Sequence, residues 1–181
     1  MISKFGNNKK PSVTELTGLL DKPALLNWAN KQGLQGIDIT ESRKKYLKDG
    51  SSIHDQIEQY HLNGKPFLIP EHENNYLKFI QGKEIISVEQ KIETQWFTGR
   101  IDAVISIDGI TYIVDYKSNQ RGVYMENKLQ LVGYSMAIKC DSFAIVSVPD
   151  FTFIEVEIKD RKPYEEMIKA LSVIYTNKQL L

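Results

Sequence analysis

Cysteine is nearly absent from this sequence, with Cys140 the only one in 181 residues. That excludes an internal disulfide, a zinc knuckle and a cysteine-ligated iron–sulfur cluster, and Cys140 itself reads as a small buried hydrophobe. Proline and glycine are too sparse to form a linker between domains, and there is no internal repeat or low-complexity stretch. No apolar run approaches the roughly 20 residues that span a bilayer, and the opening MISKFGNNKKPS lacks the apolar core of a signal peptide, so a cytoplasmic protein with no membrane partner is expected. Net charge is missing too. The 23 Lys and Arg balance the 23 Asp and Glu, which argues against a protein that coats nucleic acid through a uniformly basic surface.

What is present fits one globular domain. Hydrophobic residues at 41% and charged ones at 25% lie near the globular averages, and the length allows a single core and a single active centre over 1–181. Charge is unevenly spread. Residues 1–50 hold nine Lys or Arg against five Asp or Glu, a net of +4, so the remainder carries −4. A basic front beside an acidic back suits a phosphate backbone held against a carboxylate metal site. Solvated helix faces, such as Arg43, Lys44, Lys45 and Lys48, account for the same counts.

The order of elements divides the chain into a helical front, 1–80, and a sheet-bearing part, 84–181. Ser12 followed by Glu15 has the form of a capping box, with Leu16, Leu19 and Leu20 behind it at helical spacing. A second helix begins at Pro23 and ends by Gly33 and Gly36. The stretch from Thr40 to about His61 is again helical, with Tyr46, Ile53, Ile57 and Tyr60 as a loose stripe, and a short helix runs from Pro70 to Ile80.

Period-two patterning then gives strands at Ile85–Ile92, Gly99–Ile107 and Thr111–Tyr116. Asp108-Gly109 between the last two signals a hairpin whose central residues need positive φ. A helix from Met125 to about Lys139, strands at Phe143–Val148 and Phe151–Ile158, and a helix after Pro163 complete an α+β chain with an α-β-β-β-α-β core.

The hairpin carries the chemistry. Asp102 lies near the start of one strand and Asp115 near the end of its antiparallel partner, so their carboxylates meet within a residue or so of direct opposition. Two such carboxylates repel unless a cation lies between them, and hard oxygen donors suit Mg²⁺ or Mn²⁺. Lys117, two residues beyond Asp115, points to the same face and can act as a point charge on phosphate. Taken singly, each is also an ordinary strand-edge or surface residue. Their strand context sharpens the pattern, because Asp115 sits in a run that should be buried, where an unpartnered carboxylate is costly.

Four segments, G-S-S-I-H at Gly50–His54, T-G-R-I-D-A-V at Thr98–Val104, I-V-D-Y-K-S at Ile113–Ser118 and Q-L-V-G-Y at Gln130–Tyr134, resemble the motifs of the PD-(D/E)XK nuclease superfamily, specifically its RecB-like exonuclease branch. The resemblance implies a restriction-endonuclease-like fold, a central mixed sheet flanked by helices. It implies that Asp102 and Asp115 bind a divalent metal, Mg²⁺ or Mn²⁺, and that Lys117 completes the catalytic triad. His54 looks like the branch's metal-binding histidine, the main-chain carbonyl of Tyr116 is implied as a further ligand, and Gln130 and Tyr134 look like its Gln-xxx-Tyr pair flanking site and DNA. Glu89, alternating with Val88, resembles a recurrent acid on the first strand; a solvent-facing glutamate has the same pattern. His61 and His72 match no motif and read as surface residues. The Pro11–Thr14 and Lys22–Ala29 segments resemble front helices that border a DNA channel, where Trp28 and Tyr46 could stack on bases or simply belong to the core. The single cysteine departs from the cluster-bearing relatives, and a G-x-x-x-x-G-K-[ST] phosphate loop, hence a helicase motor, is absent.

The expected activity is metal-dependent hydrolysis of DNA phosphodiesters, foremost exonuclease action on single-stranded DNA or DNA with single-stranded ends in recombination, repair or replication. Rivals are a structure- or site-specific endonuclease, a catalytically inactive DNA-binding module, and an RNA or small-molecule phosphodiesterase.

Overall fold

Helix gives way to sheet where the apolar period changes from about 3.6 to two. The computed structural model describes residues 10–21, 23–38, 53–118 and 122–179, so the expected helical stretch 40–52, with Arg43–Lys45, Tyr46, Lys48 and Gly50–Ser52, lies outside the described residues, as does Lys22. The helices are α1 (Val13–Thr17), α2 (Pro23–Leu34), α3 (residues 53–63), α4 (Pro70–Ile80), α5 (Met125–Ser135) and α6 (Lys162–Lys178). The strands are β1 (Glu84–Glu93), β2 (Thr98–Ile107), β3 (Ile110–Ser118), β4 (Ser142–Val148) and β5 (Thr152–Glu155). Among the described residues, no helix is long and apolar enough to cross a membrane.

The result is an α+β domain on a mixed sheet in the order β1-β2-β3-β4-β5. Among the described strands only β3 and β4 pair in parallel, since α5 carries the chain back between them. Asp108 (φ 51°) and Gly109 (φ 82°) both adopt the left-handed conformation that the expected β2–β3 turn requires.

Each face of the sheet is covered by helices. On one face Val13 and Leu16 of α1, Leu129 and Val132 of α5 and Ile168 of α6 pack with Ile113 and Ile145. On the other, Ile53 and Ile57 of α3 and Tyr76 and Phe79 of α4 pack with Val114, Tyr116 and Val146. Alternation along β3 therefore sends Tyr116 to the second face and leaves Asp115 and Lys117 on the first.

Two elements depart most from the sequence reading. Helix α5 ends at Ser135 rather than near Lys139, because the Ala137 and Ile138 amides turn back to the Tyr134 carbonyl and Asp141 is tied to Thr111 by two hydrogen bonds. Strand β5 begins at Thr152 because Phe151 takes a left-handed φ of 57°, and it ends at Glu155 rather than Ile158.

Candidate metal centre

The β2–β3 ladder runs from Ile107↔Ile110 to Ala103↔Val114, so the next step of the register opposes Asp102 and Asp115. There a side chain takes over from the ladder: the Tyr116 amide donates to Asp102 Oδ2 at 2.7 Å. The strict alternation of β2 also breaks at this point, since Ile101 packs with one face's core and Ala103 with the other's. Opposite, between the pairs Val88↔Ala103 and Gln90↔Ile101, Glu89 has a φ of 47°. Irregular backbone on two neighbouring strands is a common way of re-aiming side chains at a site.

The side chains so aimed converge. His54, in the first turn of the described part of α3, brings Nδ1 to 3.6 Å from Asp102 Oδ1 and 3.7 Å from Glu89 Oε1. Each of the three offers a ligand atom within 4.8 Å of the others'. Burial by itself lowers the His54 pKa, but the Asp102 and Glu89 carboxylates outweigh it and raise it to about 10. The ring also meets that of Tyr116 edge-on at 5.7 Å.

Asp115 is 1% exposed, and neither carboxylate oxygen accepts an aligned hydrogen bond. Burial pushes its carboxyl above the usual range and Asp102 adds to this, while Lys117 pulls the other way with Nζ 2.7 Å from Asp115 Oδ2. Burial also disfavours the Lys117 ammonium, yet Asp115 and Asp102 reverse this and leave its pKa raised, so the lysine is charged at neutral pH. Lys117 Nζ further donates to Gln130 Oε1 at 3.2 Å, and Gln130 Nε2 to Tyr134 Oη at 2.7 Å. Gln130 and Tyr134 thus share one face of α5, and a chain of hydrogen bonds donated from the lysine ends on Tyr134 Oη.

His54, Glu89, Asp102, Asp115, Tyr116, Lys117, Gln130 and Tyr134 all lie in this neighbourhood, with two changes of emphasis. Among the described residues the converging donor group is His54–Glu89–Asp102 rather than His54–Asp102–Asp115, and Glu89 is not solvent-facing: its side chain is 5% exposed. Tyr116 contributes its amide to Asp102 and its ring to the second core.

Arg100 was missed. Its Nε lies 2.6 Å from Glu89 Oε2, and the signal available was its place two residues before Asp102 in the T-G-R-I-D segment. His61 and His72, read as surface residues, are half-buried; His61 Nε2 shares a hydrogen with Tyr76 Oη at 2.5 Å.

An open cleft of about 910 Å³ leads to the centre, with Ser12, Thr14, Lys91 and Arg100 among its lining residues. Residues Pro11 and Ser12 bring α1 there by joining β2: the Thr98 amide donates to the Pro11 carbonyl at 2.8 Å. Helix α1 therefore borders the cleft, whereas none of its lining residues among those described comes from α2, where Trp28 is half-buried.

The donor set could hold a hard divalent cation. Ligand bonds of about 2.1 Å place neighbouring donors about 3 Å and opposite ones about 4.2 Å apart. The His54 contacts are too long for hydrogen bonds and fall between these values, and buried carboxylate oxygens on Asp115 and Glu89 lack aligned donors.

No family model matches the sequence, and no curated protein matches it. Among solved structures the chain is similar to the crystal structure of SSO0001, with a TM-score of 0.41 and 12% identity over 90% of this chain and 75% of that one. A likeness this loose carries no argument about activity.

Proposed function

We propose that this chain is a divalent-metal-dependent nuclease with a restriction-endonuclease-like fold, in the RecB-like exonuclease branch of the PD-(D/E)XK superfamily, that hydrolyses DNA phosphodiesters. The observation that carries this reading is the pairing of a charged lysine, Lys117, with a buried carboxylate, Asp115, beside the His54–Glu89–Asp102 donor group at the end of one open cleft. Asp102, Asp115 and His54, with Glu89 and the Tyr116 carbonyl as further candidates, would hold Mg²⁺ or Mn²⁺. Such an ion supplies Lewis-acid stabilisation of phosphoryl charge and lowers the pKa of water.

The protein's own groups account for the rest. The Lys117 ammonium is a point charge for a phosphate oxygen, and its ion pair with Asp115 and hydrogen bond to Gln130 restrict where it can point. Tyr134 holds Gln130 in turn. Lys91 and Arg100 on the lining give a polyanion two cations on its approach. Motif resemblance favours exonuclease action on single-stranded DNA or DNA with single-stranded ends, in recombination, repair or replication.

The test is digestion of a closed circular and a linear form of the same DNA with Mg²⁺, Mn²⁺ or EDTA. Loss of the linear form alone, prevented by EDTA, supports an exonuclease. Cutting of the circle supports an endonuclease, and binding to DNA without cleavage under any condition contradicts a nuclease.

A further inference from the structure

Glu89 holds more than one relationship at once. Its Oε1 faces His54 Nδ1 at 3.7 Å and belongs with Asp102 to the converging donors, while its Oε2 lies 2.6 Å from Arg100 Nε. The carboxylate is 5% exposed, Oε2 is fully buried without an aligned donor, and the backbone beneath it has a φ of 47°, a left-handed conformation that is strained for a non-glycine residue. A third buried carboxylate beside Asp102 and Asp115 is costly unless cations answer it. Lys117 answers Asp115, and Arg100, whose side chain is 52% exposed and lines the cleft, answers Glu89.

The geometry points to Glu89 as a third carboxylate ligand of the metal centre, with Arg100 as a built-in counter-cation that holds Glu89 in the metal-free protein and competes with the incoming divalent ion for it. Arg100 is a positioning residue that acts through Glu89. Binding of the ion lessens the demand of Glu89 on the guanidinium and leaves it available, at the lining of the cleft, to a phosphate. The inference rests on the metal-dependent reading proposed above.

The experiment is titration of the metal-free protein with Mn²⁺ alone, following free Mn²⁺ by its paramagnetic resonance, together with thermal melts in EDTA and in Mn²⁺. Glu89→Gln weakens Mn²⁺ binding by about tenfold or more, the scale on which ligand and supporting groups act. Arg100→Gln tightens it by about two- to fivefold, as expected for removal of one partly exposed ion pair that competes with the metal. In the Glu89→Gln background Arg100→Gln has no further effect. Arg100→Gln also melts earlier than wild type in EDTA and gains more than wild type from Mn²⁺, which a structural role for the arginine does not produce. If Glu89→Gln fails to fold, the half-exposed Arg100 variant still decides the matter by its affinity and its Mn²⁺-dependent melt.

Mn²⁺ affinity unchanged in Glu89→Gln, unchanged or weakened in Arg100→Gln, or an Arg100 effect that persists in the double variant overturns the inference while leaving the metal centre standing. Wild type that takes up no Mn²⁺ overturns both.

Discussion

Asp102 and Tyr116 are joined by a 2.7 Å hydrogen bond from the Tyr116 amide to Asp102 Oδ2, at the point where the β2–β3 ladder stops. One oxygen of the carboxylate thus serves the fold and the other, Oδ1, faces His54.

The two roles separate by mutation. Asp102→Ala leaves a buried amide without an acceptor and costs about 1–3 kcal/mol of stability. Asp102→Asn keeps an oxygen for that amide, so in EDTA it is destabilised less than Asp102→Ala, while its Mn²⁺ affinity falls and, on the proposed reading, its nuclease activity falls too. Equal destabilisation by Ala and Asn contradicts the division.

Helix α1 packs against α5 where Gly133 has no side chain. A Cβ there would lie 2.6 Å from Val13 Cγ2. Gly133→Ala is expected to destabilise by about 1–3 kcal/mol in chemical denaturation, the usual scale of overpacking. With Val13→Ala also present the two cost less than the sum of their separate effects, because the clash has gone. Additivity contradicts the packing account.

His61 gives the fold a dependence on acid. Burial lowers its pKa below 6.5, so the unfolded chain takes up the proton first as pH falls. The stability that neutral His61 contributes is present above the unfolded value and is lost as pH drops through it toward the lower folded value. Between about pH 7.5 and about 5.5, wild type loses more stability than His61→Gln, which does not titrate. Parallel curves for the two proteins contradict the shift.

The fold was largely legible because its signals are local. The Ser12–Glu15 capping box, the Asp108-Gly109 turn and the period-two strands each rest on residues near one another in sequence, and each is found. The hairpin also made the opposition of Asp102 and Asp115 legible, since its register follows from its turn. What was not legible depends on pairings between strands or on backbone irregularity. The β1–β2 register and the positive φ of Glu89 decide that this residue is buried against Arg100, and nothing in the text of β1 distinguishes it from a solvent-facing acid. His61 looked like a surface residue because its partner, Tyr76, arrives from α4. The start of β5 at Thr152 follows from one backbone angle at Phe151.

The most direct test of the central claim is degradation of end-labelled single- and double-stranded linear DNA by wild type and by Lys117→Ala, with Mg²⁺, Mn²⁺ or EDTA. The account predicts metal-dependent loss of DNA by wild type and a rate lower by about 10²-fold or more in the variant, the scale of removing one preorganised charge at the reacting group. Wild type that binds the DNA and leaves it intact with either metal, or a Lys117→Ala variant that digests it as fast as wild type, would contradict it.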